Sequence, residues 1–97
     1  MHRLTTPELA RHLVNDDRLG TRVILALAAG PLSAETLFRV LKDQGALTAY
    51  LTLHSKLMGA LEDNLIIREE EMVELTPSAY YLSTLVKELI LKSGQRY

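Results

Sequence analysis

The side chains that could bind a metal ion or transfer a proton are few in this sequence. His54 is the one histidine in the middle of the chain, and no histidine or carboxylate is spaced to converge with it. A partly buried histidine, hydrogen-bonded to a main-chain carbonyl, is therefore the preferred interpretation. Glu69, Glu70 and Glu71, with Glu74 nearby, could bind a cation or a basic protein surface. Consecutive carboxylates on a tight turn diverge, and a calcium loop needs a different spacing, which favours a solvated turn.

Motifs for catalysis are also missing from the sequence. It contains no glycine-rich phosphate loop, no HExxH or GxSxG motif and no carboxylate pair at a catalytic spacing. It contains no cysteine, and so no thiolate nucleophile, disulfide or cysteine-based zinc site. We therefore expect a protein that is not an enzyme and that binds neither a metal nor a cofactor.

Composition and charge narrow the choice of partners. The chain has 97 residues, of which 47% are hydrophobic, and 11 basic side chains against 12 acidic ones. Proteins that bind nucleic acid usually carry an excess of basic residues, so the overall charge does not favour that function. The absence of cysteine, of a signal peptide and of a long apolar run predicts a cytoplasmic protein with no membrane partner.

Helix-capping residues and hydrophobic spacing predict one mainly α-helical domain over residues 1–97 with a small β-hairpin. Thr6 and Pro7 open an N-terminal helix over residues 6–16. We expect this helix to pack as an arm on the C-terminal helix, either of its own chain or of a partner. A helical core over residues 18–64 follows, and its first helix is apolar on nearly every side.

The second half of the helical core has the spacing of a helix-turn-helix. Ser33 caps one helix and Gly45 ends it, and Thr48 caps the next helix, over residues 48–63, after a short turn. Asn64 ends that third core helix. Its predicted buried stripe consists of Leu47, Leu51, Met58 and Leu61, with Leu57 beside it and His54 within it; Tyr50, Thr52, Ser55, Lys56 and Gly59 lie toward the outer side.

A short hairpin and a long helix complete the chain. The hairpin spans residues 66–75, and the helix, over residues 77–93, opens with Thr76 and Pro77. Apolar residues cover about half the circumference of this last helix, which is more than one small domain needs. A homodimer therefore explains it better than a wide monomer core does. The residues expected in the dimer interface are Leu9, Leu13, Leu82, Leu85, Leu89 and Leu91.

Three stretches of the sequence resemble the winged helix-turn-helix transcriptional regulators of the MarR, PadR and HxlR kind. They are RVILALAAGPLSAETLFRVLK, LxxxLMGALEDNLIIRE and VELTPSAYYL, and the resemblance covers about residues 18–85. It implies that the third core helix enters the DNA major groove and that the hairpin, or wing, contacts the backbone or minor groove. Residue by residue, it implies base-facing positions at Thr48, Tyr50, Thr52, Ser55 and Lys56, with Arg39 and Arg68 as phosphate contacts.

The sequence departs from this family at the wing, whose tip is Glu69–Glu71 rather than basic or polar. Residues 34–64 carry three basic side chains against four acidic ones. Two function hypotheses therefore remain open. The first is a homodimeric transcriptional regulator that binds double-stranded DNA. The second is a winged helix that contacts another protein through its acidic wing or last helix, as such domains do in segregation, polymerase-associated and phage-encoded proteins.

Overall fold

Residues 4–94 are described by the structure, a computed structural model, and they form five α-helices and a three-stranded antiparallel sheet. A mainly helical chain with a small hairpin was predicted, and this is confirmed. The elements in chain order are α1 (Thr6–Asp16), α2 (Arg18–Leu27), β1 (Leu32–Ser33), α3 (Ala34–Asp43), α4 (Tyr50–Glu62), β2 (Ile66–Glu69), β3 (Met72–Leu75) and α5 (Pro77–Ser93).

Side-chain caps fix where most of these helices begin. At α1 the Thr5 hydroxyl accepts a hydrogen bond from the Glu8 N–H, and the Glu8 carboxylate accepts one from the Thr5 N–H. The predicted cap at Thr6 is wrong by one residue, because this reciprocal box requires Glu or Gln three positions after the cap, and Glu8 lies three positions after Thr5. Ser33 and Thr76 cap α3 and α5 as predicted.

The sheet contains one strand that the sequence did not reveal. Its order is β1-β3-β2, and Leu32 of β1 pairs with Val73 of β3. β1 has only two residues, too few to show the alternation of apolar and polar side chains that marks a strand. It nevertheless ties the start of α3 to the hairpin, because the Ala34 N–H donates a hydrogen bond to the Glu71 carbonyl.

The hydrophobic core draws on all five helices and on the sheet. Its fully buried leucines include Leu27 of α2, Leu37 and Leu41 of α3, Leu75 of β3 and Leu82 of α5. α1 packs along α5 of the same chain. In the single chain, the N-terminal arm therefore lies on the C-terminal helix, which is one of the two arrangements that the sequence left open.

One polar contact inside the core joins α1 to α2. The buried Thr21 hydroxyl donates a 2.5 Å hydrogen bond to the main-chain carbonyl of Leu13. That carbonyl also accepts a hydrogen bond from the Asp17 N–H. The turn between the two helices is therefore held from both sides, which fixes the place of Asp17.

The hairpin turn contains a strained residue. Glu69 pairs with Met72, so Glu70 and Glu71 form the turn, and Glu70 has a φ of 53°. A side chain with a Cβ atom is disfavoured in this left-handed region, whereas glycine is not.

Glycine relieves the backbone strain at this position, and this gain exceeds the extra conformational entropy that glycine loses on folding. We therefore expect Glu70→Gly to raise the free energy of unfolding by about 0.5–1 kcal/mol. The control is Glu70→Ala, which removes the same charge and keeps the Cβ atom. Urea denaturation measures both variants. An equal gain in the two would assign the effect to charge and not to backbone strain.

Candidate nucleic-acid interface

α4 is attached to the core by one face and is open on the other. Leu53 and Leu57 are completely buried, whereas Leu51 is 76% exposed and Met58 is 47% exposed. The predicted buried stripe is therefore wrong for Leu51 and Met58, and also for His54, which is exposed. Apolar residues occupy both sides of this helix, so spacing alone could not show which side the core would take.

The N-terminal end of α4 differs from the prediction as well. The connection from α3 covers residues 44–49, and the helix begins at Tyr50 and not at Thr48. Its N-cap is Ala49, and no side chain caps the main-chain N–H groups of its first turn. Thr48 is exposed, and so are Thr52 and Ser55 within the helix. Several hydroxyl-bearing side chains are therefore exposed on this part of α4, and no side chain accepts a hydrogen bond from its first-turn N–H groups.

Tyr50 connects this end of α4 to α3. Its ring packs edge-on against Phe38, with the ring centroids 5.4 Å apart at an interplanar angle of 65°. The Lys42 ammonium lies 5.9 Å from the centroid of the Phe38 ring. A cation and two aromatic rings therefore form a continuous surface beside the start of α4.

The two arginines expected to contact phosphates are placed differently from each other. Arg39 is exposed on α3, and its Nη2 lies 3.4 Å from Glu35 Oε1, one helical turn earlier. An exposed pair of this kind contributes little and is easily exchanged for another anion. Arg68 is half-buried on β2, opposite Val73 in the register of the hairpin. Arg39 is thus the more accessible of the two.

Lys56 is bonded to another part of the chain. Its ammonium donates hydrogen bonds of 3.0 and 2.9 Å to the two carboxylate oxygens of Asp17, at the corner between α1 and α2. The side chains are 34% and 24% exposed, respectively. The sequence offered no signal for this ion pair, because 39 residues separate its partners. Lys56 is thus at the edge of the open face and has an anion already in place.

Asp17 is held at this corner by more than Lys56. Its Oδ1 accepts a 2.9 Å hydrogen bond from the Gly20 N–H, which makes Asp17 the N-cap of α2. A Cβ atom on Gly20 would clash with Asp17 Oδ2, so the missing side chain leaves room for the carboxylate. Partial burial raises the pKa of Asp17, but hydrogen bonds from Lys56 and the Gly20 N–H outweigh it and hold the pKa below its usual value.

The ion pair lies inside a groove between α1, α2 and α4. The groove has a volume of about 600 Å³. Its apolar lining includes Leu9, Leu13, Leu19, Val23, Ile24 and Leu65. Thr52 and Ser55 line the edge that belongs to α4, so these two predicted base contacts face partly toward the groove.

The opposite end of α4 is acidic. Glu62 and Asp63 are exposed there, and the hairpin that follows carries its three exposed glutamates at residues 69–71. Ile67 and Met72 are also exposed on the hairpin. Carboxylates therefore predominate around the end of α4, whereas α3, beside its start, carries two basic and two acidic side chains.

The residues expected in a dimer interface do not form one exposed surface. Leu13 and Leu82 are buried in the core of the single chain, because α1 packs on α5. The structure corrects their assignment to a contact with a second copy. Leu9, Leu85 and Leu89 are partly buried against the same core. Leu91, 81% exposed on α5, is the member of the set that is fully available to a partner.

Two glycines test the Asp17 corner. Gly20→Ala forces the Asp17 carboxylate away from its hydrogen bonds, and we expect it to lower the free energy of unfolding by about 1 kcal/mol. Gly59→Ala, within exposed α4 and with nothing within 4 Å of its added Cβ, is the control. Alanine is the better helix former, so this control should gain about 0.5–1 kcal/mol. Urea denaturation of both variants gives the signs, and a gain for Gly20→Ala would contradict the corner geometry.

Within residues 4–94, no group of three or more histidine or carboxylate side chains is arranged to hold a metal ion. In the same residues, no helix is both long enough and apolar enough to cross a membrane. Comparisons of the chain with protein-family models, with curated proteins and with solved structures found no match.

Proposed function

We propose that this chain is a cytoplasmic winged helix-turn-helix protein that binds double-stranded DNA as a homodimer and regulates transcription. In this assignment α3 and α4 form the helix-turn-helix, and β2 with β3 forms the wing. The observation that carries it is the placement of α4, a 13-residue helix fixed by Leu53 and Leu57 with its other face open. A helix presented in this way has the width and length that fit the major groove.

The proposed base and phosphate contacts lie toward the start of α4. Thr48, Tyr50 and Ser55 expose hydroxyls there, and hydroxyl groups contact both base edges and phosphate oxygens. The uncapped N–H groups of the first turn add donors for a phosphate oxygen. In a helix-turn-helix the preceding helix crosses the backbone, which gives Arg39 and Lys42 of α3 the role of phosphate contacts.

The small number of cations makes a dimer necessary for useful affinity. Each protomer offers two or three basic contacts, and the affinity of B-DNA complexes falls with salt at a slope of about −0.9 per neutralised phosphate. Two protomers related by a two-fold axis would address half-sites about 34 Å apart and double the contacts. The acidic wing is repelled by phosphates, so this proposal keeps residues 69–71 clear of the backbone.

A salt titration tests the proposal. We expect a mixed-sequence 30-base-pair duplex to bind at low salt with a slope of about −4 to −5. Replacing both Arg39 and Lys42 with alanine should flatten that slope by about 3 to 4, because four phosphate contacts per dimer are lost. Fluorescence anisotropy of a labelled duplex measures this quantity.

The control for that titration replaces Lys87 and Lys92 of α5 with alanine. This double variant makes the same change in net charge at exposed positions on a different helix. The salt slope of this variant should equal that of the unmodified protein within experimental error. Equal flattening in the two double variants would show that net charge, and not the surface of α3, drives the interaction.

A second candidate function, binding to a basic and apolar protein segment, is favoured by one observation. The open face of α4 exposes Leu51 and Met58, and the adjoining hairpin exposes Ile67 and Met72 among carboxylates. Exposed apolar side chains rimmed by charge are typical of a protein-binding surface, and a basic amphipathic helix has the complementary chemistry.

A paired titration with peptide and duplex distinguishes the two candidate functions. Protein binding predicts that a 20-residue amphipathic Lys/Leu peptide shifts the amide resonances of α4 and the hairpin, and that replacing Leu51 and Met58 with serine removes the shifts. DNA binding predicts that the duplex shifts the resonances at the start of α4 and of Arg39. Shifts by the peptide with no anisotropy change for the duplex would replace the first candidate with the second.

A further inference from the structure

The single basic side chain of α4 forms an ion pair with a carboxylate. Lys56 is the only lysine or arginine between Tyr50 and Glu62, and its ammonium contacts both oxygens of Asp17 at 3.0 and 2.9 Å. With the two side chains 34% and 24% exposed, the pair is screened less by salt than a surface pair would be. The ammonium therefore stays with Asp17 unless a competing anion replaces the carboxylate.

The position of Asp17 does not depend on Lys56. The carboxylate caps α2 through the Gly20 N–H, the glycine leaves space for it, and the Asp17 N–H is bonded to the Leu13 carbonyl. The acceptor is thus fixed in place by α1 and α2. A flexible lysine on α4 meets it there, and a preorganised acceptor of this kind binds an ammonium with little loss of its own entropy.

We propose that Asp17 is an autoinhibitory contact, which withholds the only ammonium of α4 from an approaching nucleic-acid phosphate. This inference rests on the proposed DNA-binding function. A phosphate must either displace a carboxylate that makes two hydrogen bonds to Lys56 or bind without the help of Lys56. Both routes lower the affinity of α4 for DNA relative to a helix whose lysine is unpaired.

The alternative role for the pair makes the opposite prediction. If the Lys56–Asp17 bond serves only to position α4 against α1 and α2, breaking it lets the helix move and weakens DNA binding. If Asp17 withholds the ammonium, breaking the bond from the Asp17 side frees Lys56 and strengthens binding. The sign of the change in affinity therefore distinguishes the two roles.

Asp17→Asn is the informative variant, because asparagine is as good an N-cap as aspartate and has nearly the same volume. We expect its affinity for the mixed-sequence duplex to rise by at least about fivefold and its salt slope to steepen by about 2, for one added phosphate contact in each protomer of a dimer. Asp16→Asn is the matched control. It makes the same charge change one residue earlier, at an exposed site whose partner is His12.

Two further variants complete a double-mutant cycle of Asp17 and Lys56. Lys56→Gln alone is measured as the reference for the double variant. In the Asp17→Asn background, Lys56→Gln should cancel the whole gain. Thermal unfolding followed by circular dichroism establishes that each variant is folded before its affinity is measured.

Each outcome of this cycle supports or overturns the autoinhibitory contact or the proposed function. A gain for Asp17→Asn that exceeds the gain for Asp16→Asn and is lost with Lys56→Gln supports the autoinhibitory contact. Binding by the unmodified protein that is unchanged or weakened in Asp17→Asn overturns the contact and leaves the proposed function standing. Absence of duplex binding by all variants at low salt, Asp17→Asn included, overturns the proposed function together with the inference.

Discussion

The carboxylate of Asp17 lies where three helices meet. It caps α2 through the Gly20 N–H and accepts two hydrogen bonds from Lys56 of α4, while the main-chain N–H of Asp17 donates to the Leu13 carbonyl at the end of α1. α4 leaves one face open, so its attachment depends on Leu53 and Leu57 in the core, on the contact of Tyr50 with Phe38 and on this bond at its edge. The corner thereby constrains the one helix to which we assign DNA recognition, and it does so with the only cation on that helix.

Features that depend on neighbouring residues could be predicted from the sequence. Ser33 and Thr76 cap their helices, and Asn64 and Gly45 end theirs with φ values of 57° and 72°. Each of these outcomes follows from the bonding or backbone freedom of a residue within three or four positions of the helix end. The order and type of the helices and of the hairpin therefore needed no knowledge of the tertiary structure.

Features that depend on which elements meet could not be predicted in the same way. Leu51 and Leu53 are both suited to a core, and only the packing of α4 decides that Leu53 is buried and Leu51 exposed. Lys56 meets a residue 39 positions away, so no local spacing points to the pair. The apolar excess on α5 predicts a dimer surface, but α1 of the same chain packs along α5, and Leu82 is buried in the core.

The change of charge along α4 determines how the proposed complex with DNA can be arranged. The helix dipole is positive at the N-terminus, where no side chain caps the first-turn N–H groups and where Tyr50 contacts Phe38, whose ring lies near Lys42. At the other end the dipole is negative, and Glu62, Asp63 and the glutamates of the hairpin add to it. A helix lying along its whole length in the major groove would bring both ends close to phosphates. The electrostatic energy instead favours entry by the N-terminal end, with the carboxylates directed away from the backbone, which also keeps Lys56 and Asp17 near the rim of the contact.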